Sequence, residues 1–247
     1  MTDIKQALQS TLRRLREGDL HECDIQALFE ASNRNAESYK QLMSYFHCAM
    51  LEVETKFRVL DHAFSLQHDR NPISTIKTRL KSPRSILEKM HRRGLEMSLQ
   101  TLEREIHDVA GVRVVCSFPE DVYLLADALL SQDDVMLIEK KDYIASPKPN
   151  GYRSLHLIIA VPIFLAHEKR LMKVEIQLRT IAMDFWAELE HQLRYKKDVA
   201  FTDEMAAELS ECARISAALD HRMEALRHAV LRDTTDQQTE TEMTKSS

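Results

Sequence analysis

Glycine is scarce in this chain, with 4 residues in 247; proline is little commoner at 6, and tryptophan occurs once. Because Gly and Pro punctuate turns and loops, a chain short of both has few tight connections and leans towards helix. No apolar run approaches the roughly 20 residues that a membrane-spanning helix needs. The opening MTDIKQALQSTLRRLREGD is charged and amphipathic without a signal-peptide core, and reads as a first helix. Closely paired cysteines are missing too. Cys23, Cys48, Cys116 and Cys212 stand far apart, which argues against a CxxC-type zinc site and suits reduced thiols in a cytoplasmic protein. Nor is positive charge in excess: a formal net charge of -5 argues against general nucleic-acid binding.

What is present is enough apolar material, 44% of residues, for one sizeable core with helical appendages. Apolar residues such as Leu42, Phe46, Leu51, Phe57 and Leu60 recur near helical spacing up to about Asp69, and Pro72 breaks that pattern. From Ile73 to about Ala182 short β-type runs alternate with helices: STIKTRL, a helix from Ser85, AGVRVVCSF, a helix from Glu120, VMLIEKKDY, SLHLIIAV and LMKVEIQLR. Such alternation predicts an α/β or α+β domain, a sheet covered by helices on at least one face. Helical pattern returns after Thr180 in two parts separated near Asp198–Thr202. The expected divisions are a helical extension over 1–72, a central domain over 73–197, a C-terminal helix over 198–232 and a disordered, Thr-rich tail over 233–247.

The average charge hides a basic segment. Ile76 to Arg93 carries seven Lys or Arg against one Glu. With STIKTRL as a strand, Lys77, Arg79 and Lys81 share one face. Ser82 and Pro83 suit a helix start, whose amides would add to a field able to hold phosphate. Asp108 lies ahead of the strand that contains Arg113; five residues apart, the two need a bend, which Gly111 can supply, or they act from different sides. In KVEIQLRT, Glu175, Gln177 and Arg179 take one face and Val174, Ile176 and Leu178 the other. A mid-strand Glu is costly to bury unless paired or holding a metal, and two carboxylates near an anion site suit Mg²⁺ on a nucleoside triphosphate. In TIAMDFWAELEHQLRYKK, Trp186, Leu189 and Leu193 have core spacing, while Asp184, Glu188 and His191 fall on another face. One of the four glycines, Gly151, stands in KPNGYRSLH (Lys148 to His156), where turn chemistry explains the Pro, Asn and Gly but not the Lys, Tyr, Arg and His.

Taken together, R-x-K-x-x-x-S-x-x-x-K (Arg79, Lys81, Ser85, Lys89), D-x-x-G-x-R (Asp108, Gly111, Arg113), KPNGYRSLH and VEIQLRT-x-AMDFWAELEH-x-L-x-YK resemble the synthetase domain of the RelA/SpoT superfamily, over about Ile73 to Lys196. The resemblance implies a nucleotidyltransferase-like mixed β-sheet with helical N- and C-terminal extensions, and a stand-alone enzyme that moves the β,γ-pyrophosphoryl group of ATP to the 3′-hydroxyl of GTP or GDP. It also implies a Mg²⁺ cofactor and a homotetramer. Carried across by motif, Arg79 and Arg113 would clamp the adenine, and Lys81, Ser85 and Lys89 would address the ATP phosphates. Asp108 and Glu175 would hold the metal, with Glu175 also the base. Tyr152 would stack on guanine beside Asn150, with Gly151 leaving room for the nucleotide, and Lys148 and His156 would meet the acceptor phosphates. Gln177, Arg179 and Glu190 are supporting candidates. A second reading takes the 3′ end of tRNA as acceptor, and a third makes the chain a non-catalytic nucleotide- or RNA-binding module.

Overall fold

The computed structural model describes residues 36–68, 70–195 and 201–245. The expected first helix within residues 1–35, and Cys23, lie outside these residues. Along the chain run α1 (Ala36–His68), β1 (Ile73–Leu80), α2 (Pro83–Arg92), α3 (Leu99–Glu105), β2 (Ala110–Cys116), α4 (Pro119–Leu130), β3 (Met136–Asp142), β4 (Leu155–Phe164), β5 (Lys169–Thr180), α5 (Ile181–Tyr195) and α6 (Asp203–Lys245). Each sequence-predicted strand forms, and the short α3 is an element the pattern did not announce. Helix α6 runs on to Lys245, over the segment from Asp233 expected as a tail; that segment holds no Gly or Pro to stop a helix, and its Gln and Glu are good helix formers.

The five strands form one mixed sheet in the order β1-β2-β5-β4-β3. Only β2 and β5 pair in parallel; the other neighbours are antiparallel. Period-two alternation gives the sheet two unlike faces. Val112 and Val114 of β2, Leu155, Leu157 and Ile159 of β4, and Val174, Ile176 and Leu178 of β5 are all buried in the main core. Helix α1 closes this face, bringing Leu42, Phe46, Ala49, Val53 and Phe57 at steps of three and four onto the strands. Leu51, one of the apolar residues recurring near helical spacing, lies off that stripe and is exposed. Truncating a fully buried aromatic such as Phe57 costs about 3–5 kcal/mol, so α1 is integral to the fold.

The opposite face carries polar side chains in transverse rows set by register. One row runs Lys77, Arg113, Gln177, His156 and Lys141 across all five strands; the next runs Arg79, Gly111, Glu175, Ile158 and Glu139. Helix α5 leaves the end of β5 and covers part of this face. Thr180 caps it, its hydroxyl accepting from the Met183 amide at 3.1 Å. Trp186 packs with Ala187, Ala213 and Tyr152, as its spacing suggested, and donates from Nε1 to the Leu209 carbonyl. Leu189 and Leu193, expected beside it in the core, are exposed; steps of three and seven keep them on the Trp186 side of the helix, but the cluster around Trp186 does not extend to them.

Helix α6 is fastened mainly through polar groups. Asp220 accepts a 2.8 Å hydrogen bond from Thr180 Oγ1 and lies 3.7 Å from Arg153, while Glu224 accepts from the Glu120 amide at the start of α4. Burial pushes the Asp220 carboxyl up, Glu224 adds to the rise, and Thr180, Arg153 and His221 oppose it without cancelling it. A carboxyl that holds its proton more tightly when folded stabilises the fold at low pH and loses that contribution as pH rises through the folded-state value. We therefore expect Asp220→Asn to gain stability relative to the native protein as pH climbs above the unfolded value of 3.8. Urea midpoints across that range check it, and a native protein that gains on the variant instead would contradict it.

Candidate active site

The polar face opens into a cleft of about 420 Å³, lined among others by Lys77, Arg79, Lys81, Asp108, Arg113, Glu175, Gln177 and Glu188. Asp108 and Arg113 share it without a bend at Gly111. Asp108 sits in the turn before β2, outside the alternation, and Gly111 is an ordinary strand residue paired with Arg79 and Glu175. Lys81, one residue past β1, and Lys89 on α2 both reach Asp108 Oδ2, at 2.9 and 2.7 Å. Burial alone would raise the Asp108 carboxyl; hydrogen bonds from Lys89 and Lys81, with their charges, hold it below its ordinary value. Ser85 lies in the first turn of α2, where the Ser82 side chain accepts from its amide and donates to its hydroxyl. With that amide taken by the cap and Pro83 offering none, the helix start presents fewer donors to an anion than its sequence suggested.

Glu175 stands in the next row. Its Oε2 accepts from Gln177 at 3.0 Å and its Oε1 lies 3.7 Å from His156 Nδ1. Burial raises this carboxyl and the charge of Asp108 adds to that, but the contact and charge of His156, with Gln177, outweigh them and the net shift is downward. The remaining His156 nitrogen, Nε2, is 2.8 Å from the Tyr152 hydroxyl, which also accepts from Arg179 Nη2 at 2.7 Å. Arg179 donates as well to Gln177 Oε1 and to Asp184. Arg179 can only donate, so the Tyr152 hydroxyl accepts from it; the direction of the bond between that hydroxyl and His156 Nε2 follows the protonation of the imidazole.

The KPNGYRSLH segment forms the connection between β3 and β4. Asn150 accepts from the Tyr152 amide and donates to Glu190, so its side chain builds the turn and ties it to α5. Glu190 is in contact with Arg194 as well. The Lys148 ammonium stands 4.5 Å from the Tyr143 ring centre and 4.7 Å from that of Tyr152. Tyr143, in the turn after β3, completes an edge-to-face group with Tyr152 and His156 and carries no motif that would have singled it out. Asp184 and Glu188, noted only as one face of a helix, both hold Arg113. Gly151 has φ of +87°, and a Cβ there would meet Ala213 Cβ of α6 at 2.4 Å. The room at this glycine is thus taken by a helix rather than left for a nucleotide.

The donor set fits a divalent cation. Asp108 Oδ1 is buried with no hydrogen-bond partner, and a second carboxylate, Glu175, lines the same cleft. Among the described residues no group of three or more His, Cys, Asp or Glu is arranged to hold a metal unaided, so an ion here needs further ligands from a substrate, the habit of Mg²⁺ with nucleoside phosphates.

Residues 78–200 match the region found in RelA/SpoT proteins. GTP pyrophosphokinase YwaC of Bacillus subtilis (strain 168) is 42% identical over 194 residues, 78% of this chain and 92% of that one. The chain belongs to the RelA/SpoT family. Among solved RelA/SpoT relatives, small alarmone synthetase 2 from B. subtilis superposes with a TM-score of 0.71 at 40% identity, covering 78% of this chain and 100% of the other. Small alarmone synthetase 1 from B. subtilis bound to its product pppGpp gives 0.72 at 30% identity, covering 78% and 98%.

The Gly151–Ala213 approach lends itself to a double-mutant cycle. Gly151→Ala should destabilise the protein by about 1–3 kcal/mol, from a strained φ and a clash. Combining it with Ala213→Gly should recover the steric part, so that denaturant midpoints show coupling beyond additivity. Strict additivity would mean that the loop and α6 do not touch.

Proposed function

We propose that this RelA/SpoT chain is a GTP pyrophosphokinase that transfers the β,γ-pyrophosphoryl group of ATP to the 3′-hydroxyl of GTP or GDP, forming pppGpp or ppGpp and AMP. The observation that carries the reading is the placing of Asp108 and Glu175 in one cleft, with the cations of β1, β2 and α2 on one side and Tyr152 and His156 on the other. Donor phosphates need the first group and a purine acceptor the second.

In this reading Arg79 and Arg113 flank the adenine, and Lys81, Ser85 and Lys89 take the ATP phosphates. The two lysines that hold Asp108 turn to the incoming oxygens. Asp108 and Glu175 hold Mg²⁺, which when bound neutralises charge on the β- and γ-phosphates. Guanine stacks on the face of Tyr152 that Lys148 covers, an interaction worth about 1–3 kcal/mol, and the displaced Lys148 moves to the acceptor phosphates. The 3′-oxygen attacks the β-phosphorus, its proton passes to Glu175, and the bond from the β-phosphorus to the bridging oxygen breaks to release AMP. Catalysis here is mainly positioning and charge neutralisation. His156 assists from beside Glu175, and Gln177 and Arg179 order that carboxylate and Tyr152.

A homotetramer in the cytoplasm completes the proposal. Support for self-association comes from the exposed apolar stripe of Ile181, Phe185, Leu189 and Leu193 along α5. No described helix is long and apolar enough to cross a membrane.

The test is incubation with Mg²⁺ and γ-labelled ATP plus GTP, GDP or deacylated tRNA. Label should pass to GTP or GDP with release of AMP; transfer only to tRNA, or none at all, would refute the proposal. Glu175→Gln should lower turnover by about 10²–10⁴-fold while retaining a native melting curve, and near-native turnover would remove Glu175 from its role. Tyr152→Ala should raise the KM for the acceptor more than that for ATP, whereas equal effects would contradict stacking.

A further inference from the structure

Lys77 on β1 and Arg113 on β2 are direct register partners on the polar face, an arrangement in which like charges repel. The counter-charge arrives from α5. Asp184 Oδ2 accepts from Lys77 Nζ at 3.2 Å, and Oδ1 accepts from Arg113 Nη1 and from Arg179 Nη1, each also at 3.2 Å. Asp184 is 8% exposed and Arg179 4%. The Arg179 Nε is buried without a hydrogen-bond partner, so this guanidinium is held by its two outer nitrogens alone.

Those nitrogens point two ways. Nη1 meets Asp184, while Nη2 meets the Tyr152 hydroxyl and Gln177 Oε1. From one carboxylate, hydrogen bonds therefore run directly to Lys77 and Arg113 in the cleft. Through Arg179 they run on to Tyr152, to His156, and by way of Gln177 to Glu175. Arg113 has a second anchor in Glu188; among the contacts described, Arg179 has no other carboxylate.

We propose that Asp184 is a positioning residue that ties the donor half of the site to the acceptor half, so that removing its charge weakens the binding of both nucleotides. The inference rests on the pyrophosphokinase reading above. Without Asp184, Lys77 and Arg113 face each other with only the Glu188 contact of Arg113 to offset their charge, and they separate. Arg179, buried and without its counter-charge, then turns away from Tyr152. Each change loosens one nucleotide, and neither requires Asp184 to touch a substrate. A carboxylate serving stability alone predicts otherwise: a lower melting temperature, with both affinities intact in the folded fraction.

Calorimetric titration separates these outcomes. The full-length protein and its Asp184→Asn variant are titrated, with Mg²⁺ present, with a non-hydrolysable ATP analogue and separately with GDP, beside thermal melts. Both Kd values should rise about tenfold in the variant, one charge-assisted contact being lost on each side. Arg113→Ala should shift only the analogue, and Tyr152→Ala only GDP. A folded Asp184→Asn protein in which one or neither Kd moves overturns the proposal. Should that variant fail to melt cooperatively, Arg179→Lys decides. A lysine lacks the fork that spans Asp184 and Tyr152, so GDP binding should weaken with the analogue unaffected, and native affinity for GDP would refute the link. Native protein that binds neither nucleotide would sink the pyrophosphokinase reading itself; native binding of both, with no change in the variants, sinks the role of Asp184 alone.

Discussion

The parallel pairing of β2 with β5 is the constraint on which the rest of the site depends. It sets Gly111 against Glu175 and Arg113 against Gln177, joining a strand from the first half of the domain to one from the second. With that register, Asp108 in the turn before β2 and Glu175 in mid-β5 line one cleft. A slip of one residue would turn Glu175 into the core and Val174 or Ile176 outwards. The apolar side chains of β2, β4 and β5 packed beneath α1 resist such a slip, so the same burial that holds the fold also aims the polar face.

That face collects more charge than a half-buried surface tolerates without pairing. Asp108 has two lysines, Arg113 has Asp184 and Glu188, and Arg179 has Asp184. Breaking a buried pair by removing one partner typically costs about 3–5 kcal/mol, which applies to Arg179 with Asp184, whereas the more exposed contact of Arg113 with Glu188 is worth less. In the proposed reaction the pairs also keep the cations in place, and substrate phosphates replace Asp108 as the partner of Lys81 and Lys89. A site already ordered by its own charges needs little rearrangement when phosphate enters.

The acceptor side is organised differently. Tyr152 is fixed by hydrogen bonds at its hydroxyl and by packing against Trp186 and Ala213, while the ammonium of its neighbour Lys148, an exposed residue, stands over the Tyr143 and Tyr152 rings. Gly151 lets α6 come within contact of this loop. Helix α6 in turn is held through Asp220 and Glu224, which makes a distant helix part of the shape of the acceptor pocket.

The sequence by itself determined the strands, the alternation in KVEIQLRT that separates Glu175, Gln177 and Arg179 from the core, the cap at Ser82, and the set of motifs that marks the family. These are local properties: side-chain period, turn chemistry and short spacings act within a few residues. Only the tertiary structure decided which motif residues meet. Asp184 collecting Lys77, Arg113 and Arg179, Tyr143 joining Tyr152, and Ala213 closing on Gly151 all depend on strand order and helix placement. Leu189 and Leu193 show the same limit from the other side, since their spacing is that of a core face while α5 turns them to solvent. Periodicity states that a helix has an apolar side, but burial is a contest among all the apolar surfaces of the chain, and it is settled only when they pack together.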